Sequence, residues 1–175
     1  MAKGSSFERQ ICKTLSLWWT NGERDDVFWR TAGSGAMATS RRKRGSTTLL
    51  QHGDIQAVDP IGKPLTDLMT LELKRGYNQC TLSDMFDSPR SKGKQRFAKF
   101  IEQAQRSAEA AGTPFWAVIH KRDQKRITIT LPAKFDTFGL RRAIVWIAIL
   151  TDEEKFIQFD FEEFLNALDP GDIQR

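Results

Sequence analysis

Phe7, Ile11, Leu15 and Trp18 recur every three or four residues, with Leu17 and Trp19 widening the stripe. This spacing predicts an amphipathic helix over residues 5–19, capped by Ser5 or Ser6 and stopped by Asn21-Gly22. A short strand is expected at residues 26–30, then a small-residue loop over 31–36. Two apolar runs, 55–58 and 68–73, flank a segment that holds Pro60, Gly62 and Pro64. Neither run is long enough for a helix, so strand, turn, strand is expected, paired as an antiparallel hairpin centred near residues 62–64. Residues 76–94 lack periodicity and are expected to form a mobile cationic loop with Arg90, Lys92 and Lys94. Phe97, Phe100, Ile101, Ala104, Ala108 and Ala111 outline a second helix, ended by Gly112-Thr113-Pro114. Further strands are expected at 115–120, 126–131 and 143–150, and a short strand and helix within 156–168. Helix, strands, helix, strands is the order of a mixed α/β domain, with helices against the faces of a sheet.

Composition sets the scale of that domain. A chain of 175 residues with 39% apolar content, five Trp and twelve Phe can bury one core. The core is expected over about 4–133, with 134–175 a C-terminal extension ending in an acidic tail. No apolar run reaches the roughly 18 residues of a membrane span, and no signal-type apolar segment opens the chain. Cys12 and Cys80 are too few for a disulfide framework and fit reduced thiols of a cytoplasmic protein. The net charge of +5 is unevenly spread, because residues 152–175 hold eight acids against two bases. The rest of the chain is therefore strongly basic and leans towards a polyanionic partner.

Candidate chemistry centres on residues 52–76. Alternation along a strand puts Glu72 and Lys74 on one face and Leu71 and Leu73 on the other. A hairpin would set Asp54 opposite or diagonal to Glu72 on that same face. Two acids and a lysine converging there invite a metal. Mg²⁺ (or Mn²⁺) needs only one or two carboxylates beside water and substrate oxygens, so Asp54 and Glu72 suffice. Such an ion relieves charge on a scissile phosphate and activates water, while Lys74 can orient that water or stabilise developing charge. A bare Glu-x-Lys is common on the wet face of ordinary strands; the upstream Asp54 behind Gly53 is what raises it here. Glu8, in the first turn of the first helix, is either a helix-dipole partner or a carboxylate aimed at the site. Gln103 and Gln105 lie on or beside the polar flank of the second helix. Arg41, Arg42, Lys43 and Arg44, flanked by Gly and Ser, read equally well as a solvated loop or as a phosphate-backbone contact. His52 and His120 are too isolated for zinc.

The Gly53-Asp54-Ile55 and Glu72-Leu73-Lys74 pair resembles the PD-(D/E)xK nuclease motif, with Gly53 in place of the usual proline. Glu8 on an N-terminal helix and the stretch from Arg30 through Ser34 to Gly35 are similar in layout to Holliday-junction-resolvase-like members of that superfamily. The resemblance covers roughly residues 4–122. It implies a restriction-endonuclease-like core, with a central mixed sheet of about four or five strands between helices, and Mg²⁺-dependent cleavage of DNA. It also implies that Asp54 and Glu72 ligate metal, that Lys74 serves the nucleophile and that Glu8 holds a second metal or its water. Gln105 (or Gln103) matches the glutamine often seen on the following helix, and Arg30, Ser34 and residues 41–44 would contact DNA. The function expected is a DNA endonuclease on branched or structured DNA, a homodimer if it cuts two strands symmetrically. The alternatives are a restriction-type or phage exo- or endonuclease on duplex DNA, and a non-catalytic nucleic-acid-binding module on the same fold.

Overall fold

The computed structural model describes residues 3–31, 52–87, 92–138, 147–150 and 155–174. Helix α1 (Lys3–Trp19) buries Phe7, Ile11 and Leu15 of the predicted stripe together with Trp19, while Trp18 is partly buried. It ends where Asn21 and Gly22 turn left-handed (φ 52° and 91°), and the Gly22 N–H closes back on the Leu17 carbonyl at 2.7 Å. Strand β1 (Phe28–Arg30) is held to this helix through Ser16, a buried polar residue. The Ser16 hydroxyl donates to the Cys12 carbonyl at 2.8 Å and accepts from the Phe28 N–H at 2.9 Å, so both of its roles are filled.

The expected hairpin is corrected here. Strand β2 (Ile55–Ala57) pairs antiparallel with β1, not with the strand after it. A 3₁₀ turn at Pro60–Gly62 and helix α2 (Lys63–Leu68) stand between β2 and strand β3 (Met69–Arg75). Pro60 and Pro64 each occupy a first turn, where a missing N–H costs nothing, so they start the turn and the helix. Gly62 is required by packing, since a Cβ there would sit 2.6 Å from Val27 Cγ1 and 2.8 Å from Phe28 Cε1.

Part of the expected loop after β3 is also helical. Helix α3 (Asp84–Asp87) opens on a reciprocal cap: the Thr81 N–H donates to Asp84 Oδ2 and the Asp84 N–H to Thr81 Oγ1. Helix α4 (Lys92–Ala111) begins before the apolar stripe that marks it. It returns the chain to strand β4 (Phe115–Lys121), parallel to β3 with Glu72 beside Val118 and Lys74 beside His120. Strand β5 (Ile127–Pro132) follows antiparallel, and a 3₁₀ turn covers Ala133–Phe138.

Strand β6 (Ile147–Leu150) and strand β7 (Lys155–Asp160) complete a five-stranded mixed sheet in the order β3-β4-β5-β7-β6 among the described residues. Helices α5 (Phe161–Ala167) and α6 (Pro170–Ile173) finish the chain. Among the described residues after 133, β6 and β7 are thus woven into the sheet. Phe135, Phe159, Phe161, Phe164, Leu165 and Leu168 join α1 and the facing side of the sheet in one core, and Trp18 Nε1 donates to the Leu165 carbonyl at 2.8 Å. On the opposite face, Trp116, Val118 and Phe156 pack under Phe97, Phe100, Ile101, Ala104 and Ala108 of α4. A mixed sheet between helical layers is the restriction-endonuclease-like core expected from the sequence. Among the described residues no helix is long and apolar enough to cross a membrane. Cys12 and Cys80 are buried, which pushes their thiols up to about 12 and about 11 and leaves them unreactive.

Phe159→Ala tests whether β7 belongs to the core. The side chain is fully buried, so unfolding by urea should show a loss of about 3–5 kcal/mol. A midpoint unchanged from wild type would make 134–175 an appendage. A second expectation concerns His120, whose Nε2 donates to the Gly76 carbonyl at 3.0 Å between the rings of Phe97 and Phe100. Burial holds its imidazole below the ordinary 6.5, outweighing the Gly76 bond, while the Arg122 and Lys74 charges add to the depression. The unfolded chain therefore binds a proton that the folded one resists. Its contribution to stability is present above pH 6.5 and is lost as pH falls below that value. The melting temperature of wild type should fall more than that of His120→Gln between about pH 7 and pH 5.5; parallel profiles would contradict it.

Candidate active site

Asp54 reaches β3 through the backbone. Its N–H donates to the Leu71 carbonyl at 2.8 Å, its carbonyl accepts from the Thr31 N–H at 2.9 Å, and its Oδ2 accepts from the Leu73 N–H at 2.7 Å. The segment entering β2 is thereby strapped across β3 at the level of Glu72. Gly53 makes the strap possible: its φ is +74°, and a Cβ would lie 2.9 Å from the Leu71 carbonyl oxygen and 2.8 Å from Thr70 Cγ2. Proline, fixed near φ −65°, cannot take that conformation, which explains the departure from the usual motif.

Glu72 points to the α4 side of the sheet and is only 2% exposed. A carboxylate so buried needs donors, and three supply them. Gln103 Nε2 donates to Oε2 at 2.7 Å, Lys74 Nζ to Oε2 at 3.2 Å, and Ser107 Oγ to Oε1 at 2.9 Å. Gln103 also accepts from Lys74 Nζ at 3.1 Å through Oε1, so one amide bridges the acid and the ammonium. Lys74 Nζ lies 5.6 Å from the Phe100 ring centre. Burial, then the nearby Asp54 charge, pushes the Glu72 carboxyl up; the Lys74 charge and the hydrogen bonds of Ser107 and Lys74 act against this.

Glu8 faces the same region from α1. Its carboxyl is raised by burial first and by Asp54 second, while Arg30 and Arg9 oppose both. The structure pairs Glu8 with Arg30 at 3.4 Å. Among the described residues, no three His, Cys, Asp or Glu side chains gather closely enough to hold an ion between them. Asp54 and Glu72 nevertheless fit a hard divalent cation: both offer oxygen, each has a lone pair left after these bonds, and burial first and the Asp54 charge second raise the Glu72 carboxyl. Beside Asp54, Thr31 Oγ1 is buried with no hydrogen-bond partner among the described residues, a polar demand that water or a substrate oxygen would meet.

Asp54, Glu72 and Lys74 are therefore brought together, with Glu8 and Arg30 alongside. Gln105 is not with them: its side chain is exposed on α4, and the glutamine beside Glu72 is Gln103. Ser107 was not anticipated from the sequence; its signal was the four-residue spacing from Gln103, which sets both on one flank of a helix. Ser34, Arg41, Arg42, Lys43 and Arg44 lie outside the described residues.

An acid at the mouth of one strand, a Glu-x-Lys on the next and a mixed α/β frame define the PD-(D/E)xK nuclease superfamily. A family model described as "Phage putative PDDEXK endonuclease" matches residues 1–175, and the chain belongs to that family. No curated protein and no solved structure matches it.

Gly53→Ala should disturb Asp54 without touching an acid. The strained φ and close approach predict a loss of about 1–3 kcal/mol in urea unfolding, with faster hydrogen exchange at the Leu73 amide. Unaltered exchange at Leu73 would mean that the strap does not depend on glycine.

Proposed function

We propose that the protein is a divalent-metal-dependent DNA endonuclease that hydrolyses phosphodiester bonds in branched or structured DNA. The observation behind this reading is the junction of Asp54, fixed by the Leu73 N–H, with Glu72 and Lys74, joined through Gln103. Asp54 and Glu72 are the residues that would hold Mg²⁺ or Mn²⁺, and Glu8, which pairs with Arg30 at 3.4 Å, would hold a second metal or its water. The cation supplies charge relief at the scissile phosphate and lowers the pKa of water. Two donor positions of the Lys74 ammonium go to Glu72 and Gln103. Its third has no acceptor among the described residues and would hold the attacking water or a phosphate oxygen. Gln103 and Ser107 fix the carboxylate plane of Glu72, and Gln103 keeps the ammonium beside it.

A module that merely binds DNA has no use for this pair of acids, which repels phosphate unless a cation stands between. Arg30 and the run Arg41 to Arg44 would contact the phosphate backbone, and symmetric cleavage of both strands would take two copies.

The test is a cleavage panel of linear duplex, single strand, flap and four-way junction, each with Mg²⁺, Mn²⁺ or EDTA. Wild type should cut only with metal and should favour the flap or junction. Asp54→Ala and Glu72→Ala should abolish cutting with DNA binding kept, and Lys74→Ala should slow it by about 10²–10³-fold. Full activity in either acid variant refutes the metal site, and binding without cutting under every condition refutes the enzyme.

A further inference from the structure

Immediately beyond the Glu-x-Lys strand, Tyr77 is 45% exposed although it is a large ring beside a packed core. Its backbone has φ 54°, left-handed and rare for an aromatic residue. Both neighbours are pinned. Gly76 (φ 84°) donates its N–H to the Lys121 carbonyl at 2.9 Å and accepts from His120 Nε2 at 3.0 Å. Asn78 donates to Asp123 Oδ2 at 3.1 Å and accepts from the Asp123 N–H at 2.7 Å, and Arg75 pairs with Asp123 at 2.9 Å. A costly backbone conformation held from both sides presents the ring to solvent in a fixed place.

What surrounds the ring points to a ligand class. The Arg96 guanidinium lies over one face of the Tyr77 ring, 5.3 Å from its centre, a cation stacked on an exposed aromatic whose other face is left for a base. Tyr77 also meets Phe100 at 5.1 Å, and Phe100 is the ring that Lys74 Nζ approaches to 5.6 Å. From Lys74 to Tyr77 is thus within about three nucleotide steps at a rise of ~3.4 Å each. A fixed aromatic face with an adjacent guanidinium suits a nucleobase and its phosphate, and bases in intact duplex are already stacked on one another.

Resting on the nuclease reading, we infer that Tyr77 and Arg96 form a stacking site for an unpaired nucleobase within about three nucleotides of the scissile phosphate. The base lies on the open part of the Tyr77 ring and the neighbouring phosphate meets Arg96. The site selects DNA with single-stranded character, such as a flap or an opened junction, over blunt duplex.

Tyr77 is the only tyrosine in the chain, so 3-fluorotyrosine labelling of the full-length protein gives one ¹⁹F signal from this site with no substitution. In EDTA, where no cutting occurs, that signal should shift when a flap or single-stranded oligonucleotide binds, and stay in place with blunt duplex. Binding is followed in parallel by fluorescence anisotropy. Tyr77→Leu, which keeps an apolar cover over Phe100, should weaken flap binding about tenfold relative to duplex, the worth of one base–aromatic stack, and Tyr77→Phe should restore it. A ¹⁹F signal unmoved by oligonucleotide that anisotropy shows to be bound overturns the stacking site and leaves the nuclease reading intact. Equal losses for flap and duplex in Tyr77→Leu overturn it likewise. No binding to any DNA overturns both.

Discussion

A carboxylate buried inside a sheet-and-helix sandwich is the constraint on which this structure turns. Glu72 sits on an interior strand face where water is excluded, and such a group is tolerated only if donors replace its hydration. One donor comes from its own strand, Lys74, and two from α4, Gln103 and Ser107. The helix must therefore lie over β3 at one rotation and one height. The crossover that makes β3 and β4 parallel is what puts it there. Asp54, arriving from the other side, adds a second negative charge that, after burial itself, raises the Glu72 carboxyl. The neighbouring second acid separates this site from an ordinary satisfied buried carboxylate.

Much of this was legible in the sequence, because the periods are clean. The α1 stripe, the left-handed stop at Asn21-Gly22 and the continuous apolar run of β4 each follow from local rules. Asp54 does come to lie beside Glu72, but by a route the pattern hides. Two prolines between apolar runs look like turn signals, yet proline in a first turn also begins helices, and α2 fills the space assigned to a hairpin. Strand β1, with which β2 pairs, is held to α1 by the Ser16 hydroxyl, a contact across twelve residues that no periodicity announces.

The glutamine was illegible for a different reason. An apolar stripe fixes which face of a helix turns inward, but Gln103 and Gln105, about 200° apart at 100° per residue, lie on opposite flanks of it. Choosing between them requires knowing which flank overhangs β3, and that is a tertiary fact. Two of the acidic C-terminal residues have a local role that charge alone does not announce. Asp160 accepts from the Glu162 and Glu163 N–H groups and Asp169 from that of Gly171, so they cap helices and are structural parts of the fold. Counted as charge, they resemble a tail; placed on the chain, they open α5 and α6.

The attachment of Asp54 to main-chain groups of β3 divides labour within the site. Its position is written in peptide units, so the side chains of Leu71 and Leu73, which face the opposite core, can change without relocating it. Glu72, by contrast, owes its setting to the side chains of Gln103 and Ser107. Sequence drift along one flank of α4 can thus retune the acidity and orientation of one carboxylate while the other stays fixed. The chemistry of the pair is adjustable from a single helix face, with the scaffold left alone.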